Sequence, residues 1–271
     1  MGRLRVFEIH DQAWFPSLLR DQTTDVLQII FNIGNLYRPI VHQLSRALRE
    51  TGTVQILDLC SGAGGPWLTL SKDLEREEGL ALNICFTDKY PNVAAFDHAK
   101  SLGRIRVRFH SIPVDATQIP DELDGFRTIF STFHHFKPRE ARAILQDAVN
   151  KRRGIGIFEA AGRRIVTLLL TFLIPIATLL LTPYLRPFRW SRLVWTYVFP
   201  VIPFVLWFDG VMSCLRTYSH QELAELTSGL TSRGYEWKIG QERGGLFPVP
   251  ITYLIGYPTR KSQSAAPSSQ S

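Results

Sequence analysis

A glycine-rich turn, three well-spaced acids and a pair of adjacent histidines carry the chemistry legible in this sequence. The run Ile56-Leu57-Asp58-Leu59-Cys60-Ser61-Gly62-Ala63-Gly64-Gly65-Pro66 leads from an apolar stretch of strand length through glycines to Pro66. Proline suits the first turn of a helix, where its missing N–H would have no partner in any case. A strand-turn-helix junction of this kind offers free backbone N–H groups to a ligand, and its glycines let that ligand approach the main chain. A dinucleotide fingerprint would need a third glycine at 67, where Trp67 stands, and no Gly-Lys-Ser/Thr follows to make a P-loop.

Further along, Asp88, Asp115, His134-His135 and Glu159 each come shortly after an apolar run. Histidine, with an ordinary pKa of about 6.5, can take a proton from a nucleophile near neutral pH. Either His134 or His135 is therefore a candidate base, the alternative being that the pair caps the helix starting at Lys137-Pro138. Adjacent side chains on an extended segment point to opposite sides, which predicts that the two do not act together or hold a metal. Glu159 is placed to orient an acceptor hydroxyl or amine, or else is a rim acid. Asp209 and Tyr218 are weaker candidates for facing an acceptor. The three cysteines, Cys60, Cys85 and Cys214, lack any CxxC spacing, so neither a zinc module nor a disulfide framework is expected, and a reducing compartment fits.

These residues need a frame that brings them to one edge. Apolar runs of strand length at 54–59, 82–86, 105–109, 128–130 and 154–158 alternate with helical patterns, which implies a parallel sheet covered on both faces. Residues 11–50 have apolar positions at helical spacing and end at Thr51-Gly52; a helix at 219–233 and strands at 235–240 and 251–255 close the chain. The expected fold is α/β: a Rossmann-like seven-stranded, mostly parallel sheet with helices on both faces, an N-terminal helical section and a hydrophobic helical insertion after the fifth strand. The expected divisions are a helical lid (1–52), a cofactor-binding core (53–162), the insertion (163–212), a segment completing the core (213–258) and a disordered tail (259–271).

The 271 residues carry 31 Lys and Arg against 24 Asp and Glu, with 45% hydrophobic residues, enough apolar mass to rule out a disordered chain. Between Ala160 and Phe208 stand five arginines, Arg163, Arg164, Arg186, Arg189 and Arg192, and no acid. A nucleic-acid groove would spread such charge over a polar surface, whereas here it brackets the most apolar part of the chain. Residues 165–185, as a helix, would span about 32 Å, interrupted by Pro175, and residues 193–208 contain Pro200 and Pro203. Carrying the intervening arginines across a bilayer opposes the positive-inside tendency. The expectation is a kinked hairpin in one leaflet, with the arginines and Trp190, Trp195 and Trp207 at headgroup level; the alternative is a soluble helical cap over a hydrophobic pocket. Either implies an apolar acceptor. The N-terminus shows no export signal, and Val6 stands where a myristoylation signal needs Ser or Thr.

In the strand-turn residues the chain resembles the class I S-adenosylmethionine-dependent methyltransferases. Asp58, Gly62 and Gly64 match the acidic residue and Gly-x-Gly turn of their first motif, with Cys60 replacing the usual first glycine. Asp88 in Phe86-Thr87-Asp88-Lys89 matches the acid on the ribose hydroxyls, and Asp115-Ala116 matches the acid near the adenine amine. The resemblance covers residues 54–160 and 217–257. It implies S-adenosyl-L-methionine held by Asp58, Cys60, Ser61, Gly62, Gly64, Asp88, Lys89, Asp115, Ala116 and Ser131, with His134, His135 and Glu159 near the methyl group. The expected activity is methylation of a hydrophobic or lipid-like acceptor at a membrane surface, from the cytoplasmic side. The alternatives are a soluble natural-product methyltransferase with a hydrophobic lid and a non-catalytic scaffold. No nucleic-acid partner is expected, because no Pro-Cys dipeptide and no Asn/Asp-Pro-Pro-aromatic segment follows strand four. Glu8, His10, Trp14 and Phe15 fall in the section expected to close over the site as a lid.

Overall fold

The computed structural model describes residues 3–259 apart from 5, 104, 231–233 and 245–248. Most of the expected tail, Arg233 at the end of the expected last helix, and Gly245 lie outside the described residues.

Seven strands form one sheet: β1 (Gln55–Asp58), β2 (Asn83–Phe86), β3 (Arg106–Phe109), β4 (Phe126–Phe130), β5 (Ile155–Glu159), β6 (Tyr235–Glu242) and β7 (Ile251–Pro258). Their order is β3-β2-β1-β4-β5-β7-β6, with β1 to β5 parallel and β7 antiparallel to both neighbours. The order reverses between β1 and β4, and the crevice outside that switch point is where open α/β sheets bind ligands.

The central strands are apolar on both faces because helices cover both. Alternation along a strand sends Ile56 of β1 to one core and Leu57 to the other. On the first face lie helices α2 (Val41–Thr51), α3 (Trp67–Glu78) and α4 (Val93–Ser101); on the second lie α5 (Pro138–Asn150) and the later α10 (His220–Thr227). Local signals set the helix ends. Gly52 and Gly79, both at φ +67°, terminate α2 and α3 in the left-handed conformation glycine adopts at no steric cost. Gly125 enters β4 at φ +150° so close to β1 that a Cβ would lie 3.0 Å from the Gln55 oxygen and Leu57 nitrogen, which leaves room only for glycine.

The N-terminal section divides in two. Helix α2 packs into the sheet's own core, whereas α1 (Ser17–Ile33) packs through Leu19 and Val26 against the insertion. The insertion comprises α6 (Ile165–Thr171), α7 (Ile174–Leu181), a 3₁₀ turn at Thr182–Tyr184, α8 (Trp190–Leu193), a π-helical turn at Val194–Val198 and α9 (Val201–Arg216). The chain bends by 72° between Trp190–Val198 and Val201–Arg216, at Phe199-Pro200.

Its polarity is inverted. Thr167, Thr171, Thr178 and Thr182 share the buried face of α6, α7 and the following turn, and Thr171, Thr178 and Thr182 return their hydroxyls to carbonyls of their own turns at 2.6–2.7 Å. Ile165, Leu169, Phe172, Ile176 and Leu180 face outward, each more than half exposed. Arg192 is buried rather than at a surface, in an ion pair with Asp25 of α1. The headgroup placement expected for it is thereby overturned, because the deepest cation in the insertion answers a buried carboxylate. Trp195 and Trp207 are half-buried, and of the three tryptophans only Trp190 is exposed.

Burial raises the Asp25 pKa and lowers that of Arg192, each against its partner's attraction. Such a pair costs desolvation to form and more to break one-sidedly. Arg192→Met is expected to lower unfolding free energy by about 3–5 kcal/mol, and adding Asp25→Asn to recover most of that loss. Urea unfolding of the single and double variants checks this. A single variant within about 1 kcal/mol of the parent would show that the pair does not hold the insertion in place.

Candidate active site

A cavity of about 890 Å³ opens at the carboxyl ends of the parallel strands, roofed by residues 6–31 and the insertion. This is the size range of small-molecule sites.

One end is built on the turn after β1. Cys60 (φ +56°) and Ser131 (φ +44°) follow the ends of β1 and β4, and both hold left-handed backbone that side chains ordinarily avoid. Cys60 thus holds a backbone conformation that glycine adopts without steric cost. Ser61 N donates to the Thr87 carbonyl (3.0 Å) and Ser61 Oγ to that of Asp58 (2.9 Å). The Gly62 N–H donates to Asp88 Oδ2 (2.8 Å), and Tyr90 N to Oδ1 (2.8 Å). Burial raises the Asp88 pKa despite these hydrogen bonds, and pushes Asp58 up to about 6 although Thr128 donates to it at 2.6 Å. Helix α1 sits directly on the turn: Gln28 donates to the Ala63 carbonyl, and Asn32 to that of Gly65 at 2.9 Å. Asp115 lies six residues beyond β3, not at its end, and is drawn in by a hydrogen bond from Val114 N to the Asp88 carbonyl (2.8 Å). It accepts from Thr117 N and Oγ1 (2.9 and 2.6 Å) and pairs with Lys89 (3.3 Å).

The other end is a charged cluster. Phe133–His135 form a 3₁₀ turn, so His134 and His135 do not point apart as extended chain would require; their rings lie 4.4 Å apart. Nδ1 of His134 is 2.7 Å from Glu159 Oε2, and the His134 N–H donates to Oε1 at 3.2 Å. Nδ1 of His135 is 2.5 Å from Asp11 Oδ1. A carboxylate offers only lone pairs, so each Nδ1 carries the hydrogen in these contacts and each Nε2 faces Glu8, at 3.5 Å from His134 and 3.3 Å from His135. Arg216 bridges Glu8 (3.2 Å), Asp11 (2.8 Å) and the His135 carbonyl (2.8 Å). Burial works against charge on His135, yet Glu8 and Asp11 outweigh it and raise its pKa to about 9. Burial and the neighbouring His135 lower His10 to about 3. Helix α5 is capped by Glu140, which accepts from Lys137 N at 2.8 Å, so the histidines are free of that duty.

No protein-family model and no curated protein matches the sequence. Among solved structures, human N-acetylserotonin methyltransferase in complex with SAM aligns over 90% of this chain and 57% of its own, at 12% identity and a TM-score of 0.51. The plantazolicin methyltransferase in complex with SAH aligns over 89% and 96% (13%, TM-score 0.48), and the mitomycin 7-O-methyltransferase over 84% and 55% (16%, 0.44). The fold is that of the class I methyltransferases. The chain spans a little over half the length of the human and mitomycin enzymes.

On this methyltransferase fold, Asp58, Cys60, Ser61, Gly62, Asp88, Lys89, Asp115, Ala116, Ser131, His134 and His135 all line the cavity. Gly64 stands behind it, where a Cβ would meet the Phe86 ring at 3.1 Å. Glu159 lies 5% exposed behind His134 and reaches the cavity only through that ring. Tyr218 donates to the Phe136 carbonyl (2.7 Å) and packs on Phe133, away from the cavity. Sequence reasoning missed Asp11, Arg216 and Ser213, whose partners are some 80 to 210 residues distant in the chain.

Asp209, raised to about 7 by burial, accepts from the Ile9 and His10 N–H groups at 2.7 and 3.0 Å and so pins the N-terminal segment over the cavity. Hydrogen bonds to a charged group contribute about 1.5–3 kcal/mol. In Asp209→Ala, amide hydrogen exchange at Ile9 and His10 is expected to speed up roughly 10-fold or more, and unchanged exchange would mean the segment is held elsewhere.

Proposed function

We propose that the protein transfers the methyl group of S-adenosylmethionine to an apolar acceptor that enters from a membrane. The observation that carries this reading is the two-ended cavity. The glycine turn and Asp88 form one end, and Leu170, Leu173, Ile174, Ala177 and Leu206 of the insertion wall the other. In the first, Asp88 takes the ribose hydroxyls with its remaining lone pairs, Asp115 lies toward the adenine, and the Cys60–Gly62 backbone and Ser131 surround the methionine portion. Methyl transfer is an in-line displacement in which the acceptor's lone pair bonds to carbon while the S–CH₃ pair returns to sulfur. The protein's task is chiefly alignment and removal of the acceptor's proton. The cluster of Glu8, His134 and His135, backed by Asp11 and Glu159, is where the acceptor's polar group binds; His134 and Glu8 are the groups placed to take its proton, while His135, its pKa raised to about 9, stays charged beside them near neutral pH.

The inverted polarity of the insertion supports a membrane source. Threonines pack inward and large apolar side chains outward, an arrangement suited to lipid and costly in water. By length and composition Ile165–Tyr184 could cross a bilayer. Its threonine face is instead occupied by the domain, which favours immersion of the outer face in one leaflet.

Loss of a charge-assisted contact of about 1.5–3 kcal/mol corresponds to roughly 10-fold to 150-fold. Asp88→Ala is therefore expected to weaken S-adenosylmethionine binding by that factor in calorimetry, and unchanged affinity in a folded variant would remove the ribose assignment. The full chain is expected to sediment with phosphatidylcholine vesicles, and Leu169→Glu with Leu180→Glu to cut the bound fraction at least ~10-fold. A parent protein left in the supernatant would make the insertion a lid over a dissolved acceptor.

A further inference from the structure

We infer that Glu8, His134 and His135 form a binding site for a divalent transition metal of the zinc class. This deepens the reading of the same cluster as the acceptor end, although metal binding is measurable without methyl transfer.

One ligand atom from each residue lies within 4.8 Å of the other two. The separations of 3.5 and 3.3 Å between the two Nε2 atoms and Glu8 are long for a hydrogen bond. They run to different oxygens, Oε1 for His134 and Oε2 for His135, and each is close to the edge, about 3.3–3.4 Å, of a tetrahedron around an ion with zinc–ligand bonds of about 2.0–2.1 Å, so that Glu8 is placed to ligate through either oxygen. The second observation is the state of His134. It is 1% exposed, and its Nε2 is buried with no hydrogen-bond partner among the described residues. An orphaned ring nitrogen aimed at a carboxylate is costly unless something accepts its lone pair.

The outer contacts point the same way. Each histidine gives its Nδ1 to a carboxylate, Glu159 for His134 and Asp11 for His135. That carboxylate–histidine arrangement fixes the tautomer and ring orientation of metal-ligating histidines. Three carboxylates converge on the cluster, and the guanidinium within it, Arg216, offsets one of them while sharing Glu8 Oε1 at 3.2 Å. Ser213 Oγ lies 3.2 Å from Glu8 Oε2. Three protein ligands at a cavity wall leave a fourth position open to an acceptor oxygen or nitrogen, the pattern of catalytic rather than structural zinc. A cation there would hold that atom and ease loss of its proton.

The test uses the full chain, stripped with a chelator, dialysed against micromolar zinc and assayed for bound metal by plasma mass spectrometry. One equivalent per chain is expected. Affinity is expected to fall at least ~10-fold in His134→Ala and in His135→Ala, and roughly 10–100-fold in Glu159→Gln, which touches no metal but orients His134. Cobalt substitution is expected to give the visible bands of a tetrahedral site, lost in the same variants. Glu159→Gln, which keeps the shape of the side chain, serves where an alanine variant fails to fold. Bound zinc below about a tenth of an equivalent, or affinity unchanged in all three variants, overturns the inference. Calorimetry with S-adenosylmethionine on the same preparation separates the two ideas: cofactor binding without metal removes only the metal site, and metal without cofactor removes only the methyltransferase reading.

Discussion

The buried pair between Asp25 of α1 and Arg192 of the insertion ties the two parts of the roof together, because neither charge can leave water without the other. The same constraint recurs around Glu8, which is 2% exposed and meets Arg216 and two histidines from distant parts of the chain. A segment that carries such acids into the interior must dock where the cations are. The N-terminal residues therefore close over the carboxyl edge of the sheet, and the insertion folds back onto them. The cavity is the space left between that roof and the strand ends.

The two ends of the cavity differ in how they are built. At the β1 turn the geometry comes from backbone: left-handed Cys60, with left-handed Ser131 after the neighbouring β4, and a Gly62 N–H already satisfied by Asp88. Strained backbone of this kind persists only where the surroundings over-determine it, here through α1 lying on the turn. At the histidine end the geometry comes from side chains contributed by four separate stretches, with the shape of the site set by who pairs with whom.

That difference explains what was legible in the sequence. All seven strands were: β1, β2, β4 and β5 as apolar runs covered on both faces, β3 as an alternating edge strand, and the last two because they follow a recognisable helix. The glycine turn was legible because its strand, turn and helix are consecutive in the chain, whereas Asp88 meets it from beyond β2, 26 residues away. The histidine pair was misjudged through a local assumption: a 3₁₀ turn replaces the extended backbone, and that turn is held by long-range bonds from Arg3 to the His134 and Phe136 carbonyls at 3.0 Å. Arg192 looked like a surface anchor because its partner Asp25 is 167 residues away. Asp115 was reached only through the resemblance: the third apolar run ends at 109, as β3 does, and the acid is carried six residues further by a loop tied to the Asp88 carbonyl through Val114 N.

The central claim is a methyl transfer that joins the two ends of this cavity. Its most direct measurement is to incubate the full chain with methyl-tritiated S-adenosylmethionine and a membrane lipid extract, then follow label into the organic phase. Label in an apolar product, with one S-adenosylhomocysteine formed per methyl transferred, is the expected result. S-adenosylmethionine left intact, or label confined to the aqueous phase across extracts of varied origin, would contradict it.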